Sequence, residues 1–386
     1  MTLDPRSAEH ACAADRLRNE LVEHLKASGA VRTLEVEQAL RTVARHVFVP
    51  DATLEEAYAD DVVAAKRDED GRLTSSASQP GIVAAMLERA AVRPGQAVLE
   101  IGTATGYNAA LLAELGAQVT SVEYDADLVA TAEQALKATG YGAVSVVAGD
   151  GEFGVPDAAL FDTVIVTVQA ADIPAAWFDQ LRVGGRLVVP LRMRGLPRVV
   201  TFVRELHRFS SEAIDPGGFV AMQGAGAWAQ TVVELGDGLR LYVDEDQPVD
   251  AAALAAARGD TTVWSGVVLR SGERALPLLD LFLATTVPAC GRMAAPDALP
   301  GSSAATWGPG GYAYTVIRPA VDGHEVGVRI VGGTVHAEVF AAAIRLWDRE
   351  YRGGPPPVLC AYPHAGAPDG PGVPVDKRHV RIVADW

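Results

Sequence analysis

Apolar positions along this chain follow two rhythms that change over near residue 224. In the first part, short apolar runs of strand length alternate with stretches whose apolar positions recur every three or four residues. Val98, Leu99 and Ile101 make the run that predicts a buried parallel strand, and 108–115 continues it as a helical pattern. VTSVEY, a helix over 125–139 stopped by Gly140, SVVAGD, DTVIVTV, a helix over 174–181 and RLVVPL carry the alternation on. Strands alternating with helices predict an α/β architecture, a doubly wound parallel sheet whose ligands lie at the strand carboxyl ends.

Ahead of the sheet, Leu17, Leu21 and Leu25 stand at helical spacing, and a second helix from Thr33 carries Val36, Leu40 and Val43 toward His46. Pro50 ends the pair, which is expected to cap the main domain. The charged run KRDEDGR is expected as a solvated hairpin or loop. TSSASQP after it is expected to open a helix with Ile82, Val83, Met86 and Leu87 inward, which makes Ser78 a helix-start residue.

Beyond RVVTFVREL the pattern turns to short β-like pieces (TVVEL, LRLYV, TTVWSGVVL, YAYTVIR, EVGVRIV) with two helical stretches, 249–258 and 334–348. The proline- and glycine-rich segment 353–374 is expected to be irregular. The division predicted is a first domain over 1–224 and a separate α+β module over 225–386. Trp228, Trp264, Trp307, Tyr312 and Tyr314 in that module are expected mostly to fill its own core, with part of the module contributing to substrate choice.

Chemistry concentrates on VLEIGTATGY. Gly102 and Gly106 bracket a tight turn between strand and helix, where backbone N–H groups and a positive helix end favour an anionic group. A dinucleotide turn needs glycines where this chain has Ala104 and Tyr107, so a pyrophosphate fits poorly. Glu100, just before the turn, suits a cationic ligand instead. Glu123 ends the next strand, at the distance from which an acid reaches ribose hydroxyls, and Asp150 between two glycines is placed to accept from an adenine amino group. Together these favour S-adenosylmethionine, which carries an ammonium, a sulfonium, a ribose and an adenine.

Composition narrows the classes. The 386 residues allow two domains, and a net charge of −16 argues against a nucleic-acid surface. Cys12, Cys290 and Cys360 give neither a disulfide framework nor a metal spacing, and His324, His336, His364 and His379 lack ligand spacing, so no metal site is expected. With no apolar run of membrane-spanning length and a polar, acidic N-terminus, a cytoplasmic location without membrane partner is the expectation.

Taken together over 30–224, HVFVP, the acidic pair after Ala57-Tyr58, SQP with its following helix, VLEIGTATGY, GYGAVSVVAGDG, FDTVIVTVQAADIP and LRVGGRLVVP resemble the protein-L-isoaspartate O-methyltransferases, a branch of the Rossmann-like S-adenosylmethionine enzymes. The resemblance implies that Ser78 contacts the substrate carboxyl. It also implies adenosyl-binding roles for Ser75, Ser76 and Ala77, for Gly102, Thr103, Ala104, Thr105 and Gly106, for Glu123 and Tyr124, and for Asp150 and Gly151. The charged KRDEDGR insertion, Gln169 in place of a common alanine, and the C-terminal module depart from the simple repair enzymes. That combination looks like the branch associated with ribosomal peptide natural products, including the methyltransferases of FxLD-type lanthipeptide systems. It implies methylation of an aspartate in a modified, macrocyclic precursor peptide, followed by aspartimide formation. Three alternatives stay open on the residues alone: isoaspartate repair, an NAD-dependent oxidoreductase, and a peptide-binding protein without turnover.

Overall fold

The computed structural model describes residues 5–386 except 157, 159, 245–246, 274, 297–302, 334 and 368–372. The chain divides into two compact units, residues 1–191 with 199–227, and 192–198 with 228–386.

In the first unit, α1 (Pro5–Ala27) and α2 (Leu34–Thr42) are followed by a 3-10 turn, Arg45–Phe48, and a short α3 (Leu54–Ala57). Leu21, Leu25, Val36, Leu40 and Val43 are buried, so the helical spacing does set the inward face. A two-stranded antiparallel hairpin, β1 (Val63–Arg67) and β2 (Leu73–Ala77), leads into α4 (Pro80–Ala90). This corrects the expectation for the serine-rich segment. Ser75, Ser76 and Ala77 end a strand, and the residue at the start of α4 is Gln79, so Ser78 is not the helix cap. Pro80 explains the change, because it disfavours helical backbone in the residue before it and is itself well placed at the first helical position.

The sheet of this unit is built from β3 (Ala97–Ile101), β4 (Gln118–Glu123), β5 (Ser145–Ala148), β6 (Phe161–Val166), β7 (Leu181–Met193), β8 (Leu196–Arg204) and β9 (Phe209–Pro216), in the order β9-β8-β7-β6-β3-β4-β5. The pairs β3/β4, β3/β6, β4/β5 and β6/β7 are parallel. Crossovers run through α5 (Tyr107–Glu114), α6 (Ala126–Ala138) and α7 (Ala175–Gln180). Val98 and Leu99 are fully buried, as a strand covered on both faces requires. Order reverses between β3 and β6, and a reversal of this kind leaves a crevice at the strand carboxyl ends.

The second unit holds β10 (Thr231–Gly236), β11 (Leu239–Val243), α8 (Ala251–Ala255), β12 (Asp260–Arg270), α9 (Leu276–Thr286), β13 (Gly291–Ala294), β14 (Ser303–Gly308), β15 (Gly311–Ala320), β16 (Gly323–Gly332), α10 (Val335–Glu350), β17 (Val358–Pro363), β18 (Val375–Asp376) and β19 (Val380–Asp385). Seven of the strands form an antiparallel sheet in the order β10-β11-β13-β14-β15-β16-β12. Trp307, Tyr312 and Tyr314 fill a core of this sheet, while Trp264 is only partly covered beside them. Residues 192–198 are tied into the unit by the buried Asp244 carboxylate. It accepts from Arg192 Nε at 3.0 Å, Gly195 N at 3.1 Å and Lys377 Nζ at 3.3 Å. Two readings of the sequence need correction here. The helix α9 lies where none is expected, and β17 crosses a stretch expected to be irregular, pairing along its length with β19.

Candidate active site

A cavity of about 420 Å³ opens at the carboxyl ends of β3 and β4, inside the first unit. The size falls within the range of small-molecule sites. Ile101, Gly102, Thr103, Ala104 and Thr105 form one wall; Val122, Glu123 and Tyr124 continue it, and Gly151 joins them. Leu73 to Gln79 face them from the hairpin, and 218–223 supplies a third wall.

The turn after β3 has the backbone that glycine favours. Gly102 sits at φ +98°, and a Cβ there would come within 2.8 Å of Thr167 Oγ1 and 2.9 Å of Val168 Cγ1, so no larger residue fits. Ala104 adopts φ +47°, a left-handed conformation costing an alanine about 1 kcal/mol. Glu123 holds it there, its Oε2 accepting from Ala104 N at 2.7 Å and its Oε1 from Asp125 N at 3.0 Å. Asp125 caps α6, accepting from Asp127 N at 2.9 Å.

Ser75, Ser76, Ala77, Ser78, Gly102, Thr103, Ala104, Thr105, Glu123, Tyr124 and Gly151 all line the cavity. Three residues expected there do not. Glu100 is fully buried, accepting from Ser121 Oγ at 2.5 Å and Asn108 Nδ2 at 2.7 Å. It shares a face of the sheet with Ser121 and Glu123 but lies one residue inside the end of β3, where its two hydrogen bonds brace β4 and the start of α5. Asp150 spends its carboxylate on Glu152 N at 3.0 Å and Ala225 N at 2.7 Å, capping the 3-10 turn Gly151–Phe153. Gly106, at φ +88°, starts α5 and packs near Ala132 and Leu136.

Sequence reasoning missed the wall at 218–223. It is held by Gln169, whose backbone N donates to Val220 O at 2.7 Å and whose Nε2 donates to Pro190 O at 2.8 Å. Gln223 Nε2 reaches across to Thr74 O on β2 at 3.3 Å.

Burial raises the Glu100 carboxyl from 4.5 to about 7, against the pull of its Ser121 and Asn108 hydrogen bonds. An unfolded chain ionises this group near pH 4.5, while the folded chain keeps the proton until about 7. Its contribution to stability is therefore fully present below 4.5 and lost as pH rises through 7, by up to about 3 kcal/mol. Urea unfolding of the wild type and Glu100→Gln at several pH values should show the wild type losing more stability between about pH 5 and 7.5. Parallel stability curves would disprove the assignment.

The residues present suit S-adenosylmethionine: an acid at the end of β4 for ribose, Val122, Ile101 and Met222 as apolar walls, and a turn exposing backbone at a helix start. The family model described as Protein-L-isoaspartate(D-aspartate) O-methyltransferase (PCMT) matches residues 16–225. A protein-L-isoaspartate O-methyltransferase of Koribacter versatilis (strain Ellin345) is 37% identical over 212 residues, 55% of this chain and 92% of the relative. One from Methylorubrum extorquens (strain PA1) is 39% identical over 206 residues, 53% of this chain and 87% of the relative. A solved structure named protein-L-isoaspartate O-methyltransferase superposes with a TM-score of 0.51 at 23% identity, covering 89% of this chain and 96% of its own. That likeness concerns the fold, and its coverage of this chain exceeds what the first unit alone contains. The fold, the cavity and these matches place the chain in the protein-L-isoaspartate O-methyltransferase family, whose members are S-adenosylmethionine-dependent protein carboxyl methyltransferases.

Proposed function

We propose that the protein methylates the side-chain carboxylate of an aspartate in a modified ribosomal precursor peptide, with Ser78 aiming the acceptor. The observation that carries the site is the convergence of Ser78, the Gly102 turn and Glu123 on one cavity. S-adenosylmethionine, when bound, supplies an electrophilic methyl group. Glu123 and the turn 102–105 would hold it, with Ser75 to Ala77 on the hairpin side. A carboxylate is already ionised near neutral pH, so no general base is required. What remains is positioning and exclusion of water. Ser78 Oγ donates to one acceptor oxygen and leaves the other facing the cavity; Ile82, Val83 and Phe219 supply dry surface around it. In the released ester, the following backbone nitrogen attacks the ester carbonyl, methanol leaves with the amide proton, and a succinimide closes.

The precursor-peptide reading draws on the KRDEDGR insertion and the second unit, which is assigned to substrate recognition. Isoaspartate repair stands as the second reading, and one observation favours it: superposition on a protein of that name reaches beyond the first unit, so an additional C-terminal unit is not by itself a mark of the precursor-peptide branch. Mass spectrometry of the enzyme with S-adenosylmethionine decides between them. The cyclised precursor should gain one methyl and then lose methanol, faster than a linear isoaspartyl peptide reacts. Preference for unrelated linear isoaspartyl peptides would establish repair instead.

A further inference from the structure

We propose that Arg45 is a positioning residue for the acceptor, a buried cation behind the Ser78 turn that fixes the turn and favours a negative charge beside it. The inference rests on the reading of Ser78 as the acceptor-facing side chain. Arg45 lies in the 3-10 turn Arg45–Phe48 and is fully buried. Its Nε donates to Ala57 O at 2.9 Å, and its Nη2 to Ala77 O at 3.3 Å and Asp61 O at 3.5 Å. Three separate segments thus hang on one guanidinium, one of them ending at the carbonyl that precedes Ser78. Its Cζ stands 5.0 Å from the centre of the Tyr107 ring, and both Tyr107 and Ala77 line the cavity.

None of these partners cancels the charge. Carbonyl oxygens satisfy donors but remain neutral, Nη1 has no partner, and Arg45 makes no ion pair among the described residues. Asp60 acts on it by charge alone, since that carboxylate accepts from Gly81 N at 2.7 Å and Gln79 Nε2 at 3.2 Å. Burial pulls the Arg45 pKa down, with Tyr107, the Asp60 carboxylate and Tyr58 nearby opposing; a guanidinium nonetheless keeps its proton. A buried charge of this kind is costly, and an apolar side chain of similar size often serves stability as well or better. The arrangement has a purpose at a site that must take an anion out of water. A carboxylate entering the cavity loses hydration, and a fixed cation nearby offsets that loss where the dielectric is low.

The test compares binding of an acceptor peptide and its methyl ester, which differ by one charge, to the full-length protein with S-adenosylhomocysteine present. Arg45→Gln should weaken the acid about tenfold or more and the ester less than about twofold, with unchanged cofactor affinity; Arg45→Lys should restore most of the preference. Equal losses for acid and ester, or an unchanged preference, would overturn the inference. Should Arg45→Gln not fold, the wild type decides. A preference set by a buried charge persists from low to high salt, whereas one set at the surface fades and would refute it. Ser78→Ala run alongside separates the two readings: unchanged turnover there removes the site assignment itself, while lost turnover with unaltered acid preference in Arg45→Gln removes only the role of Arg45.

Discussion

Ser78→Ala should lower methyl transfer roughly 10- to 100-fold while S-adenosylmethionine binds as before, the range following from one hydrogen bond to a charged group. Ser78 is half-buried and lines the cavity, and the residue opening α4 is Gln79, so the hydroxyl is not engaged in starting the helix. A cap residue replaced by alanine destabilises a protein by about 1 kcal/mol and leaves its chemistry alone. The proposed role predicts the reverse: unchanged melting, lost turnover, and a loss carried mainly by kcat if the bond strengthens as the carboxylate is aimed. Steady-state kinetics with calorimetry of cofactor binding reads all three. Unchanged turnover would return Ser78 to a structural residue of the turn.

Much of the first unit was legible because parallel strands buried on both faces are written as short apolar runs. Val98, Leu99 and Ile101 could hardly be anything else, and α5, α6 and α7 match the stretches read at 108–115, 125–139 and 174–181 to within a residue, whereas α1 starts at Pro5, well ahead of the stretch carrying Leu17. The helix α9 was hidden for the opposite reason. LPLLDLFLATT is apolar on nearly every side, so it has no period to read; Leu279, Phe282 and Leu283 are buried, and so are Asp280 and Thr285. The strand β17 was masked by the prolines before it, since Pro355, Pro356 and Pro357 mark a break without specifying the conformation of the residues after them.

At the site, spacing located the turn and the acid of β4 but not how deep each acid lies. Glu100 and Glu123 look alike in sequence and share a face of the sheet, since Glu100 pairs with Ser121; Glu123 is the last residue of β4 and lines the cavity, whereas Glu100 lies one residue inside the end of β3 under its bonds to Ser121 and Asn108. Nothing in the sequence marks Arg45, because its partners are backbone carbonyls, which no sequence pattern records. The wall 218–223 depends in the same way on the long-range bonds of Gln169 and Gln223.

Glu123→Ala should weaken S-adenosylmethionine binding roughly 10- to 100-fold, because it removes the proposed ribose acceptor and loosens the turn proposed to meet the rest of the ligand. Glu123 is almost wholly buried at the end of β4, with both oxygens on backbone amides of two different turns. One of these amides belongs to Ala104, whose left-handed backbone is sustained only by what surrounds it. The other belongs to Asp125, which caps α6 and takes Lys66 of the hairpin at 2.5 Å. Removing the carboxylate leaves two half-buried amides without acceptors, so the turn 102–105 relaxes and the hairpin side loses its reference. Glu123→Gln retains one acceptor oxygen and should fall between the wild type and alanine. Calorimetry with S-adenosylmethionine and S-adenosylhomocysteine on the three proteins measures the series. An unchanged dissociation constant in Glu123→Ala would show that the acid serves only the fold, and wild-type protein that bound NADH in place of S-adenosylmethionine would overturn the assignment of the cavity.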